Sequence, residues 1–365
     1  MKELKIKEIC TKGSSSLKQK DVEGHTGKYP VYGASGIVGY RDTYDQENEY
    51  IGLVKDGSGI GRVMFLPAHS SIIGTLQYIL PKHGYDINYI GYCLQSLDLS
   101  SYKQGAAIPH IYFRDYGERL VSVESDPKAQ KAIVEKLDTL YERIDKQKNA
   151  VIQAYNDAKA LFEASLHEAM DSISGCKMQK VGKAFDSHSG ATPPKAHKEY
   201  YDGGNIPWLV SGEVCKKYIT ETANYITKLG MDNTSAKYHP IDSVMIAMYG
   251  ANAAQVGILK IKATSNQAVC GLQPRKEYYP EFVYYWFLHK QNYLAGQAQG
   301  GAQPNISQVK IKNMDIPIIG KDVQLQIIKK LDDISERVDA MKTNYKTIEK
   351  DCELLKMAAL HEIFE

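Results

Sequence analysis

Apolar residues along this chain fall into two long stretches with helical spacing, each preceded by a region of shorter runs. After Ile133, the positions Leu137, Leu140, Ile144, Val151, Ala154, Ala158 and Leu161 follow a four-three spacing, interrupted only at Gln147. From Ile327 the spacing recurs through Leu331, Ile334, Val338, Met341, Tyr345, Ile348, Cys352, Leu355 and Ala359. A seam repeating about every 3.5 residues predicts coiled-coil helices. Asp126 with Pro127, and Asp322, supply helix starts with acidic groups at the positive end of the helix dipole. The two stretches are copies of each other, since residues 130–170 align without a gap on 324–364 at a constant offset of 194. Shared identities include Gln130 with Gln324, Leu137 and Asp138 with Leu331 and Asp332, and His167 and Glu168 with His361 and Glu362.

The regions before each copy correspond more loosely. Residues 53–66 and 246–259 both read as strand, glycine-containing turn, strand, the pattern of a hairpin. Residues 87–94 and 281–288 are short apolar runs that suit a buried helix, with a strand also compatible. Residues 105–111 parallel 300–306, and each leads to a short apolar run at 121–123 or 316–318. The expected domains are 1–125, a helix over 126–172, a second domain over 173–320, and a helix over 321–365. The expected fold class is α+β: two repeated α/β domains separated by a pair of long antiparallel coiled-coil helices, with pseudo-two-fold symmetry. A helix of about 40 residues is about 60 Å long, so the pair would act as a spacer.

Composition changes this picture little. Hydrophobic residues make up 43% and charged residues 24%, enough apolar surface for folded domains. No stretch suits a membrane span and the N-terminus lacks a signal-peptide run, so a cytoplasmic protein without membrane attachment is expected. The six cysteines show no CxxC spacing, which argues against a zinc site or disulfide framework. Net charge is only +2, a weak basic excess. The 26 tyrosines against 7 phenylalanines suggest polar recognition surfaces or half-exposed strands. No Walker loop, HExxH, GxSxG or NPPY-like tetrapeptide occurs, and Gly57 to Gly61 has the wrong spacing for a dinucleotide fingerprint. His167 and His361 close equivalent helix ends, where a histidine complements the negative terminus; no metal is expected.

The repeated globule followed by a long helix opening on Gln-x-x-Ile-x-x-Lys-Leu-Asp resembles the specificity subunits of type I restriction and modification systems. Residues 190–193 (Gly-Ala-Thr-Pro) and 206–213 (Ile-Pro-Trp-Leu-Val-Ser-Gly-Glu) resemble the start of a target recognition domain in that family. Residues 28–40 resemble another version of the same start. The resemblance implies that each domain reads one half of a bipartite, asymmetric site in double-stranded DNA, while the helices set the gap and dock two modification subunits. It further implies that restriction subunits join through the complex, and that S-adenosylmethionine, ATP and Mg2+ belong to those partners. This chain would then carry no cofactor and no catalytic residue.

Base reading needs directional donors and acceptors, and phosphate anchoring needs Lys or Arg. In the first domain the candidates are Lys18, Lys20, Tyr32, Lys55, Arg62, Gln77, Lys103 and His110. In the second they are Thr192, Lys195, Ser211, Lys216, Tyr249, Asn252, Gln255, Gln273, Gln303 and Asn305. Trp208 reads as a core anchor. Lys136, Arg143, Lys330 and Arg337 recur on the outer helix faces and are candidates for docking the modification subunits. An adaptor binding peptide or carbohydrate across the coiled-coil spacer would explain the repeat equally well; an enzyme with an unrecognised site, which methyl transfer or cleavage by the chain alone would support, is a second rival. Salt-dependent, sequence-selective binding of duplex DNA distinguishes the first reading.

Overall fold

The computed structural model describes residues 1–105, 108–297 and 305–364. The chain divides into two compact units, Met1–Ile152 with Thr343–Glu365, and Gln153–Lys342. Both long helices, Pro127–Asp171 and Lys321–Phe364, pass through this division, so each unit holds part of each helix.

In the first unit, four antiparallel strands lie in the order Cys10–Ser14, Leu76–Pro81, Tyr50–Val54, Val63–Leu66. A smaller sheet orders Gly36–Arg41, Tyr29–Gly33 and Ser71–Ile72. The middle strand of the larger sheet, Tyr50–Val54, is wholly buried, which explains its unbroken apolar run. The run over 87–94 forms a helix, Ile87–Gln95, capped by the Asp86 carboxylate, which accepts from the Tyr89 amide at 2.9 Å. Lys2–Lys5 pairs with Leu120–Val123, tying the start of the domain to the strand that leads into the first long helix.

Within this unit the two helix portions run antiparallel: Lys136, Asp145 and Lys148 face Glu362, Lys356 and Glu353 respectively. The Tyr141 hydroxyl donates to the Lys356 carbonyl at 3.3 Å. Leu137 and Ile144 of the expected seam are buried, together with Val134, while Leu140, Tyr141 and Lys148 are half-buried, Tyr141 packing on the core. Tyrosine bodies and lysine stems pack as apolar surface while their polar ends reach outward, which a seam counted from aliphatic residues misses.

In the second unit, the larger sheet has five strands in the order Ser187–Ser189, Val269–Leu272, Val244–Ala247, Val256–Leu259, Tyr218–Ile219, the last joined in parallel. The smaller sheet again has three, Tyr225–Ile226, Ile206–Leu209 and Thr264–Ser265. Pro280–His289 is the short apolar helix, and Met178–Lys180 pairs with Asp315–Pro317. Leu166, Ala169 and Met170 of the first long helix share a core with Ile327, Ile328 and Leu331 of the second. Trp208 is 8% exposed and its indole donates to the Ala191 carbonyl at 3.0 Å, a core anchor.

Leu161 and Leu355, counted in the expected seams, are 59% and 57% exposed; Phe162 and Lys356 are the partly buried neighbours beside them. Most of the tyrosines are half-buried or exposed, as the half-exposed reading has it, but a minority lie in the cores. Tyr50, Tyr89, Tyr116 and Tyr285 are among the largest fully buried side chains. Their hydroxyls are met by Ser70, the Glu124 amide, Gln77 and Asp332. Burial pushes the Tyr50 and Tyr89 hydroxyls up to about 12. At these four positions tyrosine is a core residue with a satisfied polar tip.

Candidate nucleic-acid interface

Each unit carries a rim where a hairpin turn meets a later loop. In the first, the hairpin of strands Tyr50–Val54 and Val63–Leu66 turns at Gly57, whose φ of 95° is the left-handed conformation open to glycine. Residues 108–111 close on this turn: the Gly57 amide donates to the Pro109 carbonyl at 2.9 Å and the Ile111 amide to the Lys55 carbonyl at 2.9 Å. Gln104 and His110 exchange both main-chain bonds at 2.8 Å. The His110 imidazole Nδ1 sits 2.6 Å from the Asp56 carboxylate. Lys55, Lys103 and His110 are thereby gathered at one rim, with exposed Tyr112 and Arg114 following; the Arg114 guanidinium lies 4.7 Å from the Tyr112 ring centre.

Arg62 closes this same turn, its carbonyl accepting from the Val54 amide at 2.9 Å, while the other first-domain candidates lie apart from it. Lys18 and Lys20 are exposed around the short turn Gln19–Asp21. Tyr32 is half-buried in the smaller sheet, and desolvation raises its hydroxyl pKa. Arg62 donates to the Ala34 carbonyl at 2.9 Å, clasping the two sheets. Gln77 is 4% exposed within a central strand and its amide is spent on the Tyr116 hydroxyl instead of facing solvent.

The second unit repeats the rim. Its hairpin turns at Gly250, φ 74°, the counterpart of Gly57. Asn305 forms a bridge with Tyr249, and the Ile306 amide donates to the Met248 carbonyl at 2.8 Å. Gln255 and Asn252 lie in the same turn, the Gln255 amide donating to the Asn252 carbonyl at 3.0 Å. Tyr249, Asn252, Gln255 and Asn305 are thus brought together, and Ser211 lies beside Gly212, which the Asn252 side chain approaches. Thr192 donates to the Gln267 side chain. Lys195 and Lys216 are exposed on separate loops, and Gln273 is half-buried where its amide donates to the Asp186 carbonyl at 2.9 Å. Gln303 lies outside the described residues.

Where each long helix packs on its unit lie residues to which the motifs assigned no role. Gln130, fully buried at the start of the first long helix, accepts from the Asp86 amide at 2.8 Å and donates to the carbonyls of Glu124 and Gly84 at 2.9 and 3.2 Å. Gln324 does the same work in the second unit, accepting from Tyr279 at 2.9 Å and donating to Glu277 and Ile319 at 2.8 and 3.2 Å. The Tyr92 hydroxyl donates to Asp138 at 2.5 Å, and that of Tyr285 donates to Asp332. The repeat itself was the signal for these residues: a glutamine and an aspartate at matching positions in the two copies of the helix.

The docking candidates are engaged within their units. Lys136 pairs with Glu362 at 4.0 Å and Lys330 with Glu168 at 2.7 Å, the same pair under the repeat. Arg337 pairs with Asp333 at 2.9 Å, and Arg143 is exposed. Exposed pairs of this kind contribute roughly 0–1 kcal/mol and can exchange partners readily. Among the described residues no group of three or more His, Cys, Asp or Glu side chains is placed to hold a metal ion, and no helix is long and apolar enough to cross a membrane.

Comparison with known proteins places this geometry. The family model described as the type I restriction modification DNA specificity domain matches residues 1–154 and again 174–350. The chain is 24% identical over 157 residues to the EcoR124I/EcoR124II specificity subunit of Escherichia coli, a match covering 42% of this chain and 39% of that protein. It is 25% identical over 167 residues to the HindI specificity subunit of Haemophilus influenzae, covering 45% of this chain and 36% of that protein. The matches thus span well under half the length of these curated relatives. Among solved structures, a chain from a study of assembly and conformational transition of the type I system superposes with a TM-score of 0.76 at 15% identity, covering 99% of this chain and 96% of that one. The HsdS subunit of Thermoanaerobacter tengcongensis superposes at 0.57 with 15% identity, covering 99% and 95%. The chain belongs to the type I restriction modification DNA specificity family.

Proposed function

We propose that this chain reads duplex DNA for a type I restriction and modification complex, each unit reading one half of a bipartite, asymmetric site. The long helices set the gap and present docking surfaces for two modification subunits, through which restriction subunits join. Methyl transfer and cleavage reside in those partners, which use S-adenosylmethionine, ATP and Mg2+; this chain contributes recognition and no catalysis.

The observation that carries the reading is a repeated scaffold with divergent rims. The hairpin turn and its closing loop recur at Gly57 and Gly250, yet they present Asp56 with His110 in one unit and Tyr249 with Asn305 in the other. Different donors and acceptors on one backbone frame suit two readers of different base sequence. Methylome sequencing of cells with and without this chain tests the proposal. Replacing residues 173–320 with those of a relative is expected to change one half-site and leave the other; change in both halves, or in neither, would contradict modular reading.

A further inference from the structure

The units differ at one end of the larger sheet. In the second, residues 210–224 leave the strand Ile206–Leu209 and return at Tyr225–Ile226, and on the way Tyr218–Ile219 joins the sheet beside Val256–Leu259. The Lys217 ammonium then binds the Asp332 carboxylate, 3.2 Å from the Tyr285 hydroxyl and 4.8 Å and 5.1 Å from the ring centres of Tyr285 and Tyr218. A basic side chain is caged by aromatic faces and one carboxylate. In the first unit only Ala34 and Ser35 join the corresponding strands, so no segment reaches that place.

The anionic and aromatic half of the cage is nevertheless present there. Asp138 and Tyr92, the counterparts of Asp332 and Tyr285, are bonded to each other, and Tyr92 meets Phe65 and Tyr141 edge to face, both at 5.4 Å between ring centres. A cavity of about 530 Å³ opens between these rings, walled also by Glu353 and Met357. Two cations border it and both are engaged: Arg62 on the Ala34 carbonyl at 2.9 Å, and Lys356 on Asp145 at 2.6 Å and over the Tyr141 ring at 5.0 Å. Among the described residues no Lys, Arg or His forms an ion pair with Asp138. Val63–Leu66 is the last strand of its sheet. The Val54 amide donates to the Arg62 carbonyl, so by alternation the main-chain groups of Val63 and Phe65 face away from the sheet.

We propose that this slot receives a lysine or arginine side chain from a protein partner, in the place that Lys217 takes in the second unit. The inference rests on the function proposed above, which supplies such partners. Asp138, which no cation pairs among the described residues, favours a basic side chain over the phosphates of DNA, whereas Glu353 is met by Lys148 at 3.6 Å. The visiting chain does not copy the path of residues 216–219. Met64 stands where the second unit has Gly257, and a Cβ at Gly257 would lie 2.7 Å from the Lys216 carbonyl oxygen. Pro67, in the place of Lys260, lacks the N–H through which Lys260 binds the Ile219 carbonyl. The basic side chain is therefore the anchor, with at most a short main-chain contact at Phe65.

The test is Phe65→p-benzoylphenylalanine in the full chain, assembled with its modification subunits and DNA and then irradiated. The expected product is a crosslink to a partner peptide containing Lys or Arg, its yield falling roughly tenfold in the Asp138→Asn background, as loss of a charged hydrogen bond implies. A complex that assembles and methylates DNA while residue 65 crosslinks to no polypeptide, or only to DNA, overturns the proposal. So does a crosslink indifferent to Asp138→Asn. Absence of any methylating complex with the unsubstituted chain would instead sink the family-based function, and this inference with it.

Discussion

Gln130 and Gln324 bind their surroundings through the same three main-chain contacts, whereas Asp56 and Tyr249, at matching places on the rims, share only a backbone frame. The difference follows from what each side touches. A buried amide has no water to fall back on, so its partners must be supplied by the protein and any change of residue strands several polar groups at once. A rim side chain is hydrated whatever its identity, and it can change freely provided the glycine turn beneath it survives.

The comparison can be broken most forcefully at the junction. Gln130→Leu and Gln324→Leu are each expected to cost about 3 kcal/mol, since each leaves one amide and two carbonyls without partners. Chemical denaturation measures this; strongly unequal costs would show that the two junctions are not equivalent.

A second effect separates the units through pH. His239 lies fully buried in the second unit, its ring stacked 4.1 Å from that of His188, with Nε2 2.9 Å from the Ser265 hydroxyl. Burial, and secondarily His188, lowers its pKa from 6.5 to about 3. Because the folded value is depressed, the stability held by the neutral ring is complete above about pH 6.5 and is lost as pH falls toward the folded value. Lowering the pH from 7 to 5 should therefore cost the second unit about 2 kcal/mol. His239→Gln should reduce that slope, the remainder coming from His289 and His188, whose pKa values burial also lowers, as followed by hydrogen exchange resolved between the units; an unchanged slope would remove His239 as a source.

The smallest effects belong to the rims. His110→Ala and Tyr249→Ala should each shift stability by less than about 0.5 kcal/mol. Each should weaken DNA binding roughly tenfold, with altered preference confined to one half-site, read by binding to randomised duplexes. Altered preference in both halves would mean that the rims do not act separately.

Much of the fold could be read from residue order. The constant offset between copies revealed the duplication, and glycine turns between apolar runs marked the hairpins that form at Gly57 and Gly250. The seam was legible at Leu137 and Ile144, but a count of aliphatic residues passed over half-buried Tyr141 and Lys148, which lie beside Leu140 and Gln147. The candidate interface was less legible. Gln77 resembles a recognition residue by type, and only the register that places it in a central strand, opposite Leu53, reveals it as core. Lys217 looks like one more surface lysine until the loop carrying it is seen to return against Asp332. A local pattern cannot encode contacts of that sequence separation.

The segment 210–224 departs from and rejoins adjacent ends of one antiparallel pair, with the Trp208 amide donating to the Asn224 carbonyl at 2.9 Å across its base. Chain can be spliced in or cut out at such a neck without shifting either strand. The scaffold therefore has a port where evolution can try new appendages, and the short Ala34–Ser35 turn is that same port left closed.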